Sequence, residues 1–87
     1  MKKKADMESL IRLIVTEFDD IDPAQVTPEG CFKEVIEWNS INSVVLSVII
    51  ESEFGVLLDT DDYQDTDTFA NLLNRIQAKA IELGSGQ

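Results

Sequence analysis

The amino-acid sequence predicts an all-α fold of four helices, with a long loop between the first and second helices and a short third helix. Apolar residues recur every three or four positions in three segments, which is the period of a helix with one buried face. Proline, glycine and runs of acidic residues separate these segments. Because 87 residues suffice for one modest core, we expect a single domain over residues 1–87, with its core in residues 6–83 and a flexible tail over residues 84–87.

The first helix is predicted over residues 6–19. Its buried face is predicted to consist of Met7, Leu10, Ile11, Ile14 and Phe18. An acidic run and Pro23 end it, because the residue before a proline is disfavoured in the α region. The connection that follows, residues 21–39, is long for a structureless loop. Its apolar residues indicate that it packs onto the helices, with Phe32 and Ile36 as the anchors.

The second helix, predicted over residues 40–54, is apolar on almost every side. Leu46, Ile50 and Phe54 fall on one side, which is expected to face the core. An apolar stripe falls roughly opposite, with Ile49 between the two sides; it consists of Ile41, Val44, Val45 and Val48. A domain of this size cannot easily cover both sides of one helix, so we expect the apolar stripe to dock a partner or to shelter a bound chain.

The C-terminal part of the chain predicts two more helices. Gly55 suits the left-handed position that ends the second helix. The composition of residues 59–64 favours a short third helix. The last helix is predicted over residues 67–83, with Thr66 or Asp67 as its cap. Its core face is predicted to consist of Phe69, Leu72, Leu73, Ile76 and Ala80.

The composition excludes several functions. The chain has no histidine and one cysteine, Cys31, so it can form neither a Ser-His-Asp or Cys-His catalytic group nor an internal disulfide. We therefore expect no enzyme activity of its own, and Cys31 is interpreted as a small loop or core residue. A net charge of -10 opposes binding to nucleic acid and favours partners with basic patches.

The sequence also predicts where the protein is located in the cell and whether it has a metal site. No segment approaches the ~20 apolar residues that span a bilayer, and Asp6 and Glu8 interrupt any signal peptide, so we expect a cytoplasmic monomer. The acidic run that begins at Asp59 is similar in composition to a calcium-binding loop. We expect no metal site, however, because Gln64 and Ala70 stand where such a loop needs glycine and glutamate.

Ser40 is the candidate modification site. It stands where the second helix is predicted to begin, and there the free N–H groups and the positive end of the helix dipole favour an anion such as a phosphate. Taken by itself, Ser40 is better explained as an ordinary helix cap, since serine is among the best capping residues.

Around Ser40 the sequence resembles the acyl carrier protein family and its peptidyl and alanyl relatives. The segment Asn39-Ser40-Ile41 matches the Asp-Ser-Leu motif of that family. The segment Glu53-Phe54-Gly55-Val56 matches its Glu-Phe-Gly-Ile segment without a gap, and Val26-Thr27 and Phe32 lie at the expected distances upstream. The resemblance extends over roughly residues 7–82, almost the whole chain.

The resemblance implies an acyl-carrier-like bundle with a covalent cofactor, 4'-phosphopantetheine. A phosphopantetheinyl transferase would take this group from coenzyme A and join it to Ser40, with Asn39 and Ile41 completing the motif. The arm would carry acyl groups as thioesters, and Trp38 would either close the edge of the core or lie beside the arm. Asn39 stands where the family usually has aspartate, which keeps the capping ability but loses the charge.

The resemblance also bears on docking. The family tends to carry acidic residues near the start of this helix that pair with basic patches on partner enzymes, whereas Asn42 and Val45 are among the matching residues here. We therefore expect docking through the apolar stripe, to dedicated partners and with little dependence on salt, because salt screens ion pairs and not apolar contacts.

The function predicted from these observations is that of an acyl carrier protein. It would deliver acyl intermediates to acyl-transferring or acyl-processing enzymes of fatty acid, polyketide or related biosynthesis. Two alternatives stay open: a D-alanyl or aminoacyl carrier, and an unmodified carrier-like module that binds a partner protein through the apolar stripe. Replacing Ser40 with alanine separates them, because a carrier loses its function and an interaction module keeps its partner.

Overall fold

The computed structural model describes residues 5–85, with side chains as far as residue 81. It confirms the all-α fold, since residues 5–85 contain helices and no strand; Cys31 and Thr68 form an isolated β-bridge. The helices are α1 Met7–Glu17, α2 Phe32–Val35, α3 Ser40–Phe54, α4 Thr60–Gln64 and α5 Phe69–Ser85. Within this part of the chain, no helix combines the length and hydropathy needed to cross a lipid bilayer.

The first helix begins and ends close to its predicted bounds. Asp6 caps α1, its side chain accepting a hydrogen bond of 2.7 Å from the N–H of Ser9. The helix ends at Glu17, two residues before the predicted end, and the N–H of Phe18 donates to the carbonyl of Ile14. Leu10 and Ile14 are fully buried, as predicted for the core face of this helix.

The long connection between α1 and α3 carries more regular structure than predicted. It contains a turn of 3₁₀-helix, Pro23–Gln25, and the one-turn helix α2. The predicted anchors are confirmed, because Phe32 and Ile36 are both fully buried in the core. The connection is therefore packed against the helices through α2, and this packing fixes the segment that enters α3.

The bounds of α3 and α4 follow the sequence closely. The second long helix runs over the predicted residues and ends at Gly55, which has the left-handed backbone conformation with φ of 73°. The N–H of Gly55 donates a hydrogen bond of 2.8 Å to the carbonyl of Glu51. Asp59 caps α4, and the side chain of Asp62 accepts a hydrogen bond from the N–H of Asp59 in return, which forms a capping box.

The start of the last helix differs from the prediction. Neither Thr66 nor Asp67 caps α5: the hydroxyl of Thr68 accepts a hydrogen bond of 3.1 Å from the N–H of Asn71. The reason lies in the loop, because the N–H of Phe32 donates to the carbonyl of Asp67 and the N–H of Phe69 donates to the carbonyl of Gly30. These bonds hold residues 67–68 in the isolated bridge, so the helix starts later.

The far end of α5 also differs from the prediction. Ala80 is exposed, so its assignment to the core face is wrong. The side-chain amide of Gln77 donates to the carbonyl of Ala5, and the helix continues past this contact, where the described residues offer no core to bury Ala80. The helix includes Gly84 and Ser85, which were expected in the tail; residues 86–87 lie outside the described part of the chain.

Candidate functional site

Ser40 is the first residue of α3, and the residue before it provides the cap. Asn39 has an extended backbone, and its side-chain oxygen accepts a hydrogen bond of 2.7 Å from the N–H of Asn42. Its carbonyl accepts the first hydrogen bond of the helix, from the N–H of Ser43 at 3.0 Å. The reading of Ser40 as an ordinary N-cap is therefore wrong, because Asn39 satisfies that role.

The side chain of Ser40 is exposed, and its hydroxyl forms no hydrogen bond within the described residues. The backbone N–H groups of Ser40 and Ile41 likewise have no acceptor there, as expected for the first turn of a helix. No acidic residue occupies that turn. A free hydroxyl thus stands beside unpaired donors at the positive end of the helix dipole, where a phosphate would be stabilised.

The segment that enters α3 is held from both sides. The side-chain amide of Asn42 donates a hydrogen bond of 2.7 Å to the carbonyl of Glu37. This bond joins the first turn of α3 to the residue three positions before Ser40. Trp38 packs edge-on against Phe32, with ring centroids 5.4 Å apart, and edge-on against Tyr63 at 5.1 Å. These contacts order the approach to Ser40.

Trp38 occupies one of the two positions considered from the sequence, the edge of the core. Its packing on Phe32 and Tyr63 closes the edge of the core, and its half-buried ring also lines a groove of about 490 Å³ between α3 and α4. The α3 side of the groove is formed by Ser43, Val44, Ser47, Val48 and Glu51. These residues follow Ser40 along the same side of the helix, so the groove begins one turn beyond it.

The apolar stripe is exposed in three of its four members. Ile41, Val44 and Val48 are 72%, 62% and 57% exposed. Val45 departs from the prediction: it is half-buried and packs against the core, and it lines a surface cavity together with Phe18 and Val35. Leu57, 61% exposed, lines the groove together with Val44 and Val48, so the surface continues beyond the helix. From here on, the apolar stripe means Ile41, Val44 and Val48.

Ser47 and Tyr63 form a contact across the groove that the sequence analysis missed. The Ser47 hydroxyl lies 2.6 Å from the Tyr63 hydroxyl and donates to the carbonyl of Ser43 at 3.0 Å. Burial, together with the carboxylates of Asp62 and Asp59, raises the pKa of Tyr63 against the opposing hydrogen bond to Ser47. The sequence carried one signal of this polar face, the serines at positions 40, 43 and 47, which recur at helical spacing.

The acidic run after Asp59 serves α4 and α5, and none of the described residues forms a cluster suited to a metal ion. Asp62 is 3% exposed, and its carboxylate accepts hydrogen bonds from Arg75 at 2.7 Å and from Lys79 at 2.5 Å. Burial acts to raise the pKa of Asp62, but hydrogen bonds from Lys79, the N–H of Asp59 and Arg75 outweigh it and lower the pKa. Asp62 therefore ties the groove wall to α5.

No protein-family model matches the chain. Among curated proteins, it is similar to an acyl carrier protein of Thermosynechococcus vestitus, at 32% identity over 79% of this chain and 85% of that protein. An acyl carrier protein of Thermobifida fusca is 31% identical over 74% of this chain and 81% of its own length. Another, of Thermotoga maritima, is 29% identical over 91% of this chain and 98% of its own length.

Proposed function

The chain belongs to the acyl carrier protein family, and from this we propose that it carries acyl groups as thioesters on a 4'-phosphopantetheine arm attached to Ser40. It would deliver them to acyl-transferring or acyl-processing enzymes of fatty acid, polyketide or related biosynthesis. The observation that carries the proposal is the exposed hydroxyl of Ser40, free of hydrogen bonds within the described residues, on the first turn of a capped helix.

The residues around Ser40 fit a phosphodiester. An anion on the hydroxyl would meet the N–H groups of Ser40 and Ile41, which have no other acceptor among residues 5–85, and no acidic side chain of the first turn would repel it. Asn39 keeps the helix end ordered without adding a charge. When attached, the arm supplies a thiol that holds an acyl group as a thioester.

The protein itself contributes tethering and not chemistry. With no histidine in the chain, it lacks the usual general base, and Ser40 has no base within hydrogen-bond distance among the described residues. A tether raises the effective concentration of the cargo at the active site of a docked enzyme, which is sufficient for a carrier.

The partners would dock on the apolar stripe beside Ser40. Ile41, Val44 and Val48 are exposed on the same helix, and no charged residue occupies its first two turns. Burial of these side chains would supply most of the affinity, and ion pairs little of it. We expect a phosphopantetheinyl transferase and enzymes that process acyl groups to use this surface.

Loading in vitro tests the proposal. The protein is incubated with coenzyme A, magnesium and a broad-specificity phosphopantetheinyl transferase, and its intact mass is measured. We expect one phosphopantetheine on the parent protein, one on Ser43→Ala and none on Ser40→Ala. Ser43 is the matched control, because it lies one turn away on the same helix and its hydroxyl donates to the carbonyl of Ser40.

The exposed stripe also supports a second function, an unmodified module that binds a partner protein. The two functions differ in their dependence on Ser40. If Ser40→Ala abolishes acyl transfer while partner binding persists, the carrier function is supported. If the folded parent is never loaded and a partner still binds through Val44 and Val48, the interaction module is the better description.

A further inference from the structure

A surface cavity of about 580 Å³ lies between the end of α1, the connection that follows it, α2 and the start of α3. Its apolar wall is formed by side chains that are half-buried and pack against the core: Phe18, Ile21, Val35 and Val45. Each of them keeps part of its surface exposed, so the wall offers apolar contact to a side chain from outside. The cavity is separate from the groove between α3 and α4, because the two share no lining residue.

The polar groups that line this cavity are acceptors. Four exposed carboxylates line it, and none forms an ion pair within the described residues; they belong to Glu17, Asp19, Asp20 and Glu37. The side-chain nitrogen of Asn42 donates to the carbonyl of Glu37, which leaves the side-chain oxygen of Asn42 as a further acceptor. No lysine or arginine is among the lining residues. The negative end of the α1 dipole adds to the negative potential there.

An arginine side chain matches both parts of this lining. Its methylene stem can lie on the apolar wall while its guanidinium reaches the carboxylates. The guanidinium has five N–H donors in a planar arrangement and a permanent charge, so several acceptors can bind it at once. The ammonium of lysine is a compact point charge with three donors and fits such a set of acceptors less well. A cation in the cavity would also relieve the repulsion among the four carboxylates.

The cavity adjoins the two features that the proposed function uses, Ser40 and the apolar stripe. Glu37 lies three residues before Ser40 and Asn42 two residues after it, and the hydrogen bond between them holds these lining residues together. Val45 lines the cavity, and Val44, the next residue along the chain, belongs to the apolar stripe. A protein that docks on the stripe therefore comes within reach of the cavity.

We propose that this cavity receives an arginine side chain from the enzyme that docks on the apolar stripe. The inference rests on the proposed function, since it concerns the enzymes that act on the arm at Ser40. The stripe supplies most of the affinity, and the arginine contributes to the choice of partner. Because the guanidinium would be enclosed between the two proteins, salt screens this contact less than it screens an exposed ion pair.

Binding of short peptides to the unloaded protein tests the inference. The probe is a capped tripeptide with a leucine on each side of a central arginine. Three counterparts carry lysine, norleucine or citrulline at the centre; citrulline is a neutral analogue of arginine with the same stem. Amide chemical shifts of the isotope-labelled protein are followed as the peptide concentration rises. The titration is repeated with the double variant Asp20→Asn, Glu37→Gln and with the matched control Asp67→Asn, which removes an exposed carboxylate outside the cavity.

We expect the arginine peptide to shift the amide signals of residues 17–21, 35–37, 42 and 45, with a dissociation constant of about 1 mM. The lysine peptide should bind about threefold more weakly. The citrulline and norleucine peptides should bind about tenfold more weakly, because they lack the charge. The double variant should lose about tenfold in affinity for the arginine peptide, whereas Asp67→Asn should keep the affinity of the parent protein.

Three results would overturn the inference. The first is the absence of shifts at the cavity up to about 10 mM arginine peptide. The second is equal binding of the arginine and norleucine peptides, because the cavity would then take an apolar side chain. The third is an equal loss of affinity in Asp67→Asn and the double variant, because the net charge of the protein would then explain the binding.

Loading of Ser40 separates this inference from the proposed function, since the peptides are added to unloaded protein. A protein that is loaded at Ser40 but does not bind the arginine peptide keeps the proposed function and overturns the inference. A protein that binds the peptide at the cavity but is never loaded contradicts the proposed function. In that case the arginine belongs to the partner of the interaction module, and its assignment to an enzyme is overturned.

Discussion

Replacing Asp62 with alanine is the most quantitative test of how the groove wall is held. The Asp62 carboxylate is 3% exposed and accepts hydrogen bonds from Arg75, Lys79 and the N–H of Asp59. Its removal takes away one of the two bonds of the α4 capping box and the buried acceptor of both cations, which keep only Asp65 and the carbonyl of Leu57. The side chains of Arg75 and Lys79 are 38% and 27% exposed, so both regain water in the variant.

The magnitude follows from these contacts. Hydrogen bonds to charged groups contribute about 1.5–3 kcal/mol when buried, and the exposure of the two cations lowers this to about 1 kcal/mol each. Loss of the capping bond to Asp59 costs about 1 kcal/mol. The free energy of unfolding should therefore fall by about 3 kcal/mol, which lowers the unfolding midpoint of a domain of this size by roughly 12–24 °C.

Urea denaturation followed by Trp38 fluorescence measures this change. Asp67→Ala is the matched control, because it removes an exposed carboxylate that has no hydrogen bond among the described residues. The control should change stability by less than about 0.5 kcal/mol. If Asp62→Ala is no more destabilising than Asp67→Ala, the ion network around Asp62 does not hold α4 in place.

Three further predictions concern Asp62, Asn39 and Val48. The pKa of Asp62 is lower in the folded protein than in the unfolded chain, so stability should fall as pH drops below about 4, and Asp62→Asn should flatten that loss in an acid titration followed by circular dichroism. Asn39→Ala should lower the free energy of unfolding by about 1 kcal/mol in urea, whereas Asn39→Asp should raise it by about 0.5 kcal/mol and speed loading. Val48→Ser should weaken binding to an acyl-processing partner about tenfold, because it removes exposed apolar surface from the stripe. Raised salt should change the affinity of the parent protein little. A steep salt dependence of the affinity, measured by calorimetry, would contradict docking through the apolar stripe.

The long helices were predictable because their apolar residues repeat at helical spacing and local residues fix their ends. Gly55 supplies the left-handed turn that stops α3, and Asn39 and Asp59 have the short polar side chains that cap helices. Phe32 and Ile36 were predictable as anchors, because apolar side chains in a polar connection gain from burial against a neighbouring core.

The rest depended on contacts between distant parts of the chain. Thr68 caps α5 because backbone hydrogen bonds to Gly30 and Phe32 hold the residues before the helix in the isolated bridge. No pattern of neighbouring residues predicts such a pairing. The pairing of Ser47 with Tyr63 is equally nonlocal, since 16 residues separate them. Val45 falls beside the stripe on a helical wheel, yet it packs against a core whose members come from distant parts of the chain.

The state of Ser40 in protein isolated from cells that naturally produce it tests the proposed carrier function most directly. The protein is digested, and the peptide that contains Asn39-Ser40-Ile41 is fragmented in a mass spectrometer. We expect a 4'-phosphopantetheine on Ser40, free or acylated, in a substantial fraction of the molecules. A peptide that is wholly unmodified at Ser40, or modified at Ser43 instead, would contradict it.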